Sequence, residues 1–160
     1  PKLFAYPYGE ASLTIKNIVE KKGFSAAFGQ HSGVVNSSND PFYLPRFALN
    51  EAYGDMDRYR LAVNALPIPA KDISPADMLV TTSNPPTYGF TVDGTVAGLA
   101  RLNCFASHIS SAVRTERLGP SRIEVRFDQP FPPGRSRINC TLRDRSGRWR
   151  WLGRLFYVPK

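Results

Sequence analysis

A period-two alternation of apolar and charged residues dominates the second half of the chain and limits what it can fold into. The stretch RIEVRFD at 122–128 has an apolar residue at every second position, and RINCTLR at 137–143 repeats the pattern. Successive side chains of a strand point to opposite faces, so both stretches indicate strands with one buried face. The turn sequence DRSG at 144–147 then leads into RWRWLGRLFYV, which predicts an antiparallel hairpin. Several such strands predict an antiparallel β-sandwich over residues 86–160.

The same alternation predicts which side chains are buried in that sandwich. It places Trp149 and Trp151 in the core and the neighbouring arginines in solvent. The arginines expected to form this basic outer face are Arg122, Arg126, Arg137, Arg143, Arg148 and Arg150. Basic and aromatic residues are also mixed in proteins that bind single-stranded nucleic acid. The alternation favours packing of the tryptophans instead, so we expect no nucleic-acid partner.

Charge is distributed unevenly along the chain. Residues 1–85 hold 8 Lys and Arg against 8 Asp and Glu, whereas residues 86–160 hold 13 against 5, so the whole net charge of +8 lies in the second half. Such a basic half suits nucleic acid, an anionic surface or an acidic polysaccharide, and it equally suits a solvated arginine-rich face. No stretch approaches the roughly 18 consecutive apolar residues of a membrane helix, so no membrane span is predicted.

The two cysteines both lie in the β-rich half, in positions that predict burial. Cys104 shares a strand face with Leu102 and Ala106, and Cys140 falls in the inward phase of its strand. We predict that they form a disulfide across the sandwich, which would indicate an oxidising compartment. Two buried free thiols in a cytosolic protein are the alternative.

The first half has a different pattern. Strand-like residues 3–5 are followed by a helix signal capped by Ser12 and ended by Gly23, and FSAAFG then predicts a second strand parallel to the first. A second helix is predicted from Asp55, with a core-facing stripe of Met56, Tyr59, Val63 and Leu66. The proline-rich stretch 67–86 predicts a linker or strap. The expected fold class is therefore α/β plus all-β, divided into 1–85 and 86–160.

Catalytic motifs are scarce. His31 and His108 are the only histidines, neither lies in an HxxxH pattern, and each is typical of a loop or surface histidine. The chain has no CxxC, GxSxG or phosphate-binding glycine loop. We therefore predict that this chain alone binds no catalytic metal and has no hydrolase activity.

Four stretches together resemble the C-terminal half of a bacterial polysaccharide deacetylase of the NodB-homology type, carbohydrate esterase family four. They are FAYPYGEASL at 4–13, GFSAAFGQHSG at 23–33, LPRFALNE at 44–51 and RSRINCTLRDRSGRWRW at 135–151, the last similar to a β-rich extension that follows the barrel. The resemblance implies a partial (β/α) barrel segment before the sandwich. It also implies that the chain is a fragment, whose missing N-terminal half of the barrel carries the divalent metal, zinc in our expectation.

The resemblance also implies roles for individual residues. Tyr8 corresponds to the residue whose backbone N–H stabilises the oxyanion during amide hydrolysis, and Pro7 stiffens that strand end. Tyr6, Pro7 and Arg46 would contact the polysaccharide substrate. Ala5 stands where the family has an arginine, and the late leucine-and-histidine motif of the family has no match.

Two functions follow as hypotheses. The first is the C-terminal portion of a periplasmic or secreted, metal-dependent deacetylase of N-acetylated envelope polysaccharide, with an anionic envelope polymer as a further partner of the basic face. The second is a non-catalytic carbohydrate-binding or structural β-module.

Overall fold

The computed structural model describes residues 1–160 and places most of the regular structure in strands. Two strands form a small parallel pair, and eight others form a single curled sheet. The two α-helices are α1 (Leu13–Lys21) and α2 (Met56–Asn64). Neither helix is long and apolar enough to cross a membrane. The fold is thus mostly sheet, with two short helices.

The parallel pair is the βαβ unit that the sequence predicts at the start of the chain. β1 (Leu3–Ala5) pairs with β2 (Ala26–Phe28) in parallel, and α1 connects them. The Ser12 side chain accepts a hydrogen bond from the Ile15 N–H, which satisfies one of the free amides at the start of the helix. A cluster of six buried residues holds the unit together: Tyr6, Ala11, Val19, Ala27, Tyr43 and Met78.

The large sheet has the strand order β3-β10-β9-β6-β7-β8-β5-β4. Every neighbouring pair is antiparallel except β3 with β10. Its strands are β3 (Leu66–Pro67), β4 (Ala70–Ser74), β5 (Tyr88–Val92), β6 (Asn103–Ala106), β7 (Ala112–Leu118), β8 (Arg122–Arg126), β9 (Gly134–Arg143) and β10 (Trp149–Val158). The curled sheet encloses one core of 19 buried residues, in which Tyr88 and Phe131 pack against Phe156.

The linker interpretation of the proline-rich stretch 67–86 is wrong. β3 and β4 come from this part of the chain, so the sheet begins before residue 86. Both strands lie at the edges of the sheet, where a proline without an N–H donor is tolerated. Their short, proline-interrupted sequences carry no periodic signal, and their pairing depends on residues distant in the chain.

The second helix forms where predicted, but its apolar stripe is not in the core. Asp55 caps α2 by accepting the Arg58 N–H, as expected. Met56, Tyr59 and Val63 are nevertheless 60%, 47% and 58% exposed, and no residue of α2 is buried. The sheet closes its own core, and this polar helix lies outside it, where the Arg58 guanidinium reaches the outward-facing Trp151 of β10.

The disulfide between Cys104 and Cys140 is present, as the sequence predicts. The two cysteines are direct partners on the neighbouring strands β6 and β9, not on opposite sides of a sandwich. Both side chains point into the core and are fully buried. The bridge therefore ties together two strands of one sheet.

Candidate functional site

The hairpin formed by β9 and β10 places its tryptophans opposite to our prediction. Trp149 lies opposite Arg143 and Trp151 lies opposite Thr141, on the outer face of the sheet. The intervening Leu142 points into the core and is fully buried. Because directly opposed residues share a face of an antiparallel pair, both indoles point away from the core. The predicted burial of the tryptophans is therefore wrong.

Two arginines occupy the inward phase of β10 in their place. Arg150 donates from Nη1 to the Pro67 carbonyl at 2.9 Å, at the edge of the sheet. Arg154 is 8% exposed and donates from Nη2 to the carbonyls of Pro75 and Ala76 at 3.1 and 2.7 Å. A long guanidinium side chain can run along apolar surface and reach backbone carbonyls beyond it, which makes these inward positions tolerable.

An aromatic groove lies on the outer face of β10, β9 and β6, with a volume of about 400 Å³. It is lined by Leu61, Phe105, Asn139, Thr141, Trp149 and Trp151. Phe105 and Trp149 are 45% and 39% exposed, which is unusual for large apolar side chains in the middle of a sheet. The groove thus combines flat aromatic walls with a polar floor, and its volume falls within the usual range for ligand pockets.

A hydrogen bond between two groove residues fixes the polar floor. The Trp151 indole Nε1 donates to the Asn139 side-chain oxygen at 2.9 Å. An indole N–H can only donate, so it takes the amide oxygen of Asn139 and does not use the Nδ2 donors of that side chain. Thr141 also lines the groove, and its hydroxyl is able to donate and to accept. The floor therefore offers directional hydrogen bonds between aromatic walls.

Arginines lie against the aromatic rings of this surface. The Arg143 guanidinium lies 5.8 Å from the Trp149 ring centroid, and that of Arg58 lies 5.6 Å from the Trp151 ring centroid. Phe47 packs edge-to-face against Trp151 at 5.5 Å, which supports the indole from the side of α2. These contacts hold the aromatic side chains in place and give the groove a positive border.

The site residues implied by the deacetylase resemblance lie elsewhere, at the carboxyl ends of β1 and β2. Tyr6 is 2% exposed, and its hydroxyl donates to the Phe42 carbonyl at 2.8 Å. Burial raises the pKa of Tyr6 to about 12, so the phenol stays neutral and acts as a packed support. Arg46 donates from Nε to the Gly29 carbonyl at 3.0 Å, just after β2.

Tyr8, in this second region, has an unusual backbone conformation and an exposed side chain. It has φ 55°, in the left-handed region that few side chains adopt, and it is 67% exposed. Pro7 precedes it in the same one-turn helix, Pro7–Gly9. The Arg135 guanidinium lies 5.3 Å from the Tyr8 ring centroid and forms an ion pair with Glu10 at 3.6 Å.

The chain contains no group of three or more His, Cys, Asp and Glu side chains placed to hold a metal ion. His31 does not lie on the surface as its sequence suggested, because it is 5% exposed and stacks on Tyr43 at 4.2 Å. Burial, and then the nearby Arg154 charge, lowers the pKa of His31 to about 3. The imidazole is therefore neutral at pH 7 and packs as part of the interior.

In comparisons with known proteins, no family model, no curated protein and no solved structure matches the chain. The geometry of the two regions is therefore the basis for assigning a function. Of these, only the aromatic groove combines a cavity, exposed rings and hydrogen-bonding groups. The sequence did carry a signal for it, since the Trp-x-Trp spacing at 149–151 puts both indoles on one face of a strand.

Proposed function

We propose that this chain binds a polysaccharide through the aromatic groove, as a non-catalytic carbohydrate-binding module. The observation that carries the proposal is the row of Trp149, Trp151 and Phe105 on the outer face of the sheet beside Asn139 and Thr141. Sugar rings present apolar C–H faces that pack on aromatic side chains, and their hydroxyls require directional hydrogen bonds at the edges. The groove offers both kinds of contact side by side.

The disulfide favours a polysaccharide over a nucleic acid as the ligand. A bridge between Cys104 and Cys140 persists in oxidising compartments, where structural polysaccharides are plentiful and single-stranded nucleic acid is not. We accordingly propose a periplasmic or secreted location. Exposed aromatic rings beside arginines would otherwise suit stacked bases as well, so nucleic-acid binding is a necessary comparison in the test.

A second function, part of a polysaccharide deacetylase, is supported by the region around Tyr8. The parallel β1–α1–β2 unit places Pro7 and Tyr8 at the carboxyl ends of its strands, the edge at which parallel α/β folds build their sites. Tyr8 is exposed and has a left-handed backbone conformation of the kind that clusters at functional positions. The chain offers no set of residues for a divalent metal, so we assign it no step of metal-assisted hydrolysis.

Trp149→Ala tests the first proposal. Affinity electrophoresis in gels that contain single polysaccharides should show retarded migration of the wild-type chain in at least one gel, and normal migration of the variant. Tyr53→Ala is the matched control, because Tyr53 is 62% exposed and does not line the groove. Normal migration of the wild-type chain across acidic and neutral polysaccharides alike would refute the proposal.

A further inference from the structure

We propose that the groove selects acidic polysaccharides, and that Arg143 binds the carboxylate of a uronic acid unit while Trp149 packs against its ring. This inference rests on the proposed function and adds the chemical class of the ligand. It follows from the placement of unpaired positive charge around the groove and not from the net charge alone.

Arg143 is held at the edge of the groove with part of its guanidinium unused. Its Nε donates to the Gly147 carbonyl at 3.0 Å, inside the turn of the hairpin, while the guanidinium lies 5.8 Å from the Trp149 ring centroid. It forms none of the ion pairs in the chain, which leaves its two terminal amines for a ligand. A fixed guanidinium of this kind matches a carboxylate through two parallel hydrogen bonds.

No acidic side chain forms an ion pair with Arg143. No carboxylate lines the groove. Asp144 is the one acidic residue of the hairpin, and it accepts bonds from the Ser146 and Arg148 amides at 2.9 and 3.1 Å. The hairpin arginines are Arg135, Arg137, Arg143, Arg145, Arg148, Arg150 and Arg154. Of these, only Arg135 forms an ion pair, with Glu10.

At the opposite end of the curled sheet, by contrast, arginines form ion pairs with glutamates. Arg114 and Arg126 both pair with Glu116, and Arg122 pairs with Glu124 at 2.7 Å. Three of the four arginines of β7 and β8 therefore lie in ion pairs with carboxylates, whereas Arg143 beside the aromatic groove forms none. The uncompensated positive charge coincides with the exposed tryptophans, as an anionic sugar polymer requires.

A single oligosaccharide, with its carboxylates either free or esterified, distinguishes recognition of the negative charge from recognition of the sugar. We would measure binding of a galacturonate hexasaccharide and of the same hexasaccharide with its carboxylates methyl-esterified, using tryptophan fluorescence and calorimetry in dilute salt. The wild-type chain should bind the acid about tenfold more tightly than the ester, a difference of about 1.4 kcal/mol. The preference should shrink as salt is added.

Variants then assign the preference to one residue. Arg143→Gln should abolish the preference, so that the variant binds acid and ester with equal affinity. Arg143→Lys retains the charge but not the paired hydrogen bonds, so it should keep part of the preference. Arg145→Gln removes one charge from the same turn, but unlike Arg143 this residue does not lie over a groove tryptophan, so the variant should bind like the wild-type chain.

The possible results test the acidic ligand, the role of Arg143 and the proposed function separately. Equal affinity of the wild-type chain for acid and ester would overturn the acidic-ligand inference and leave sugar binding intact. An equal loss in Arg143→Gln and Arg145→Gln would overturn the assignment to Arg143. If a polysaccharide panel and both hexasaccharides fail to bind while oligo-dT does, the proposed function itself fails and the groove is a nucleic-acid platform.

Discussion

Trp149 and Arg143 are direct cross-strand partners near the turn of the β9–β10 hairpin, with the guanidinium 5.8 Å from the indole ring. The pair presents a positive charge and an aromatic surface together on the outer face of the sheet. Trp149 still lines the groove and is 39% exposed, so the contact does not hide it from a ligand. The neighbouring Arg143 cation also concentrates anions at this indole. The arrangement can therefore be tested with simple ions, before the ligand is known.

Quenching by ions should therefore distinguish this indole from a buried one. We expect iodide to quench the tryptophan emission more strongly than caesium does, because the anion is attracted to the arginines around Trp149. Trp149→Phe should remove most of the iodide-sensitive emission, while Trp151→Phe should leave it. Weak quenching by both ions in the wild-type chain would contradict the outward orientation.

The sequence was sufficient to predict the hairpin but not the phase of its second strand. In β9, apolar residues fall on one face only, so Ile138 and Leu142 identify the core side without ambiguity. In β10 both faces carry apolar residues, and the segment that follows β2 reaches this strand through the bridge between Gly33 and Leu152. Leu155 in the outward phase and Phe156 in the inward phase are both fully buried. Alternation alone cannot decide such a strand.

The other sequence predictions succeeded where the contacts that determine a feature are close in the sequence, and failed where those contacts are distant. The cap at Ser12 and the strand pair around it depend on neighbours in the sequence, and they were predicted. Edge strand β4 depends on pairing with β5, and the groove depends on three strands and a helix meeting at one face, so neither has a local signature. The alternation in RINCTLR puts Asn139 in the outward phase, but it carries no sign of a groove for this reason.

The hydrogen bond from Trp151 to Asn139 should be detectable as an energetic coupling. Trp151→Phe removes the indole donor, Asn139→Ala removes the acceptor, and the double variant removes both. We expect a coupling of about 1 kcal/mol in the free energy of unfolding, typical of a neutral side-chain hydrogen bond. Urea denaturation of the four proteins measures it. Strictly additive effects would show that the bond does not form in solution.

Removal of the disulfide should weaken the sheet substantially. The bridge closes a loop with a sequence separation of 36, for which the loss of chain entropy in the unfolded state corresponds to about 4 kcal/mol. Chemical reduction should therefore lower the urea midpoint sharply, and the Cys104→Ala, Cys140→Ala double variant should match the reduced protein. Labelling of the untreated, denatured chain should find no free thiol. Two labelled thiols per chain would disprove the bridge.

Stability should also fall at mildly acidic pH because of His31. Burial lowers its pKa to about 3 in the folded chain, whereas an unfolded histidine has a pKa of about 6.5. Between these values the unfolded state binds a proton that the folded state excludes, so the free energy of unfolding rises with pH. The full contribution is present above pH 6.5 and is lost progressively below it. At pH 5 the loss should reach about 2 kcal/mol.

His31→Phe keeps a ring stacked on Tyr43 and removes the titrating group, so its stability should change little between pH 7 and pH 5. Hydrogen bonds and arginine contacts lower the pKa of Glu116, and bonds from Thr95 and Ser146 lower the pKa of Asp93 and Asp144, so these carboxyls also cost stability as the pH falls, but mainly below about pH 4.5, where they protonate in the unfolded chain. His108 is the other group to control, since burial also lowers its pKa. Its side chain is more accessible than that of His31, so His108→Gln should retain most of the pH dependence. If His31→Phe instead loses stability as steeply as the wild-type chain, the dependence arises elsewhere and His31 is not excluded from protonation by the fold.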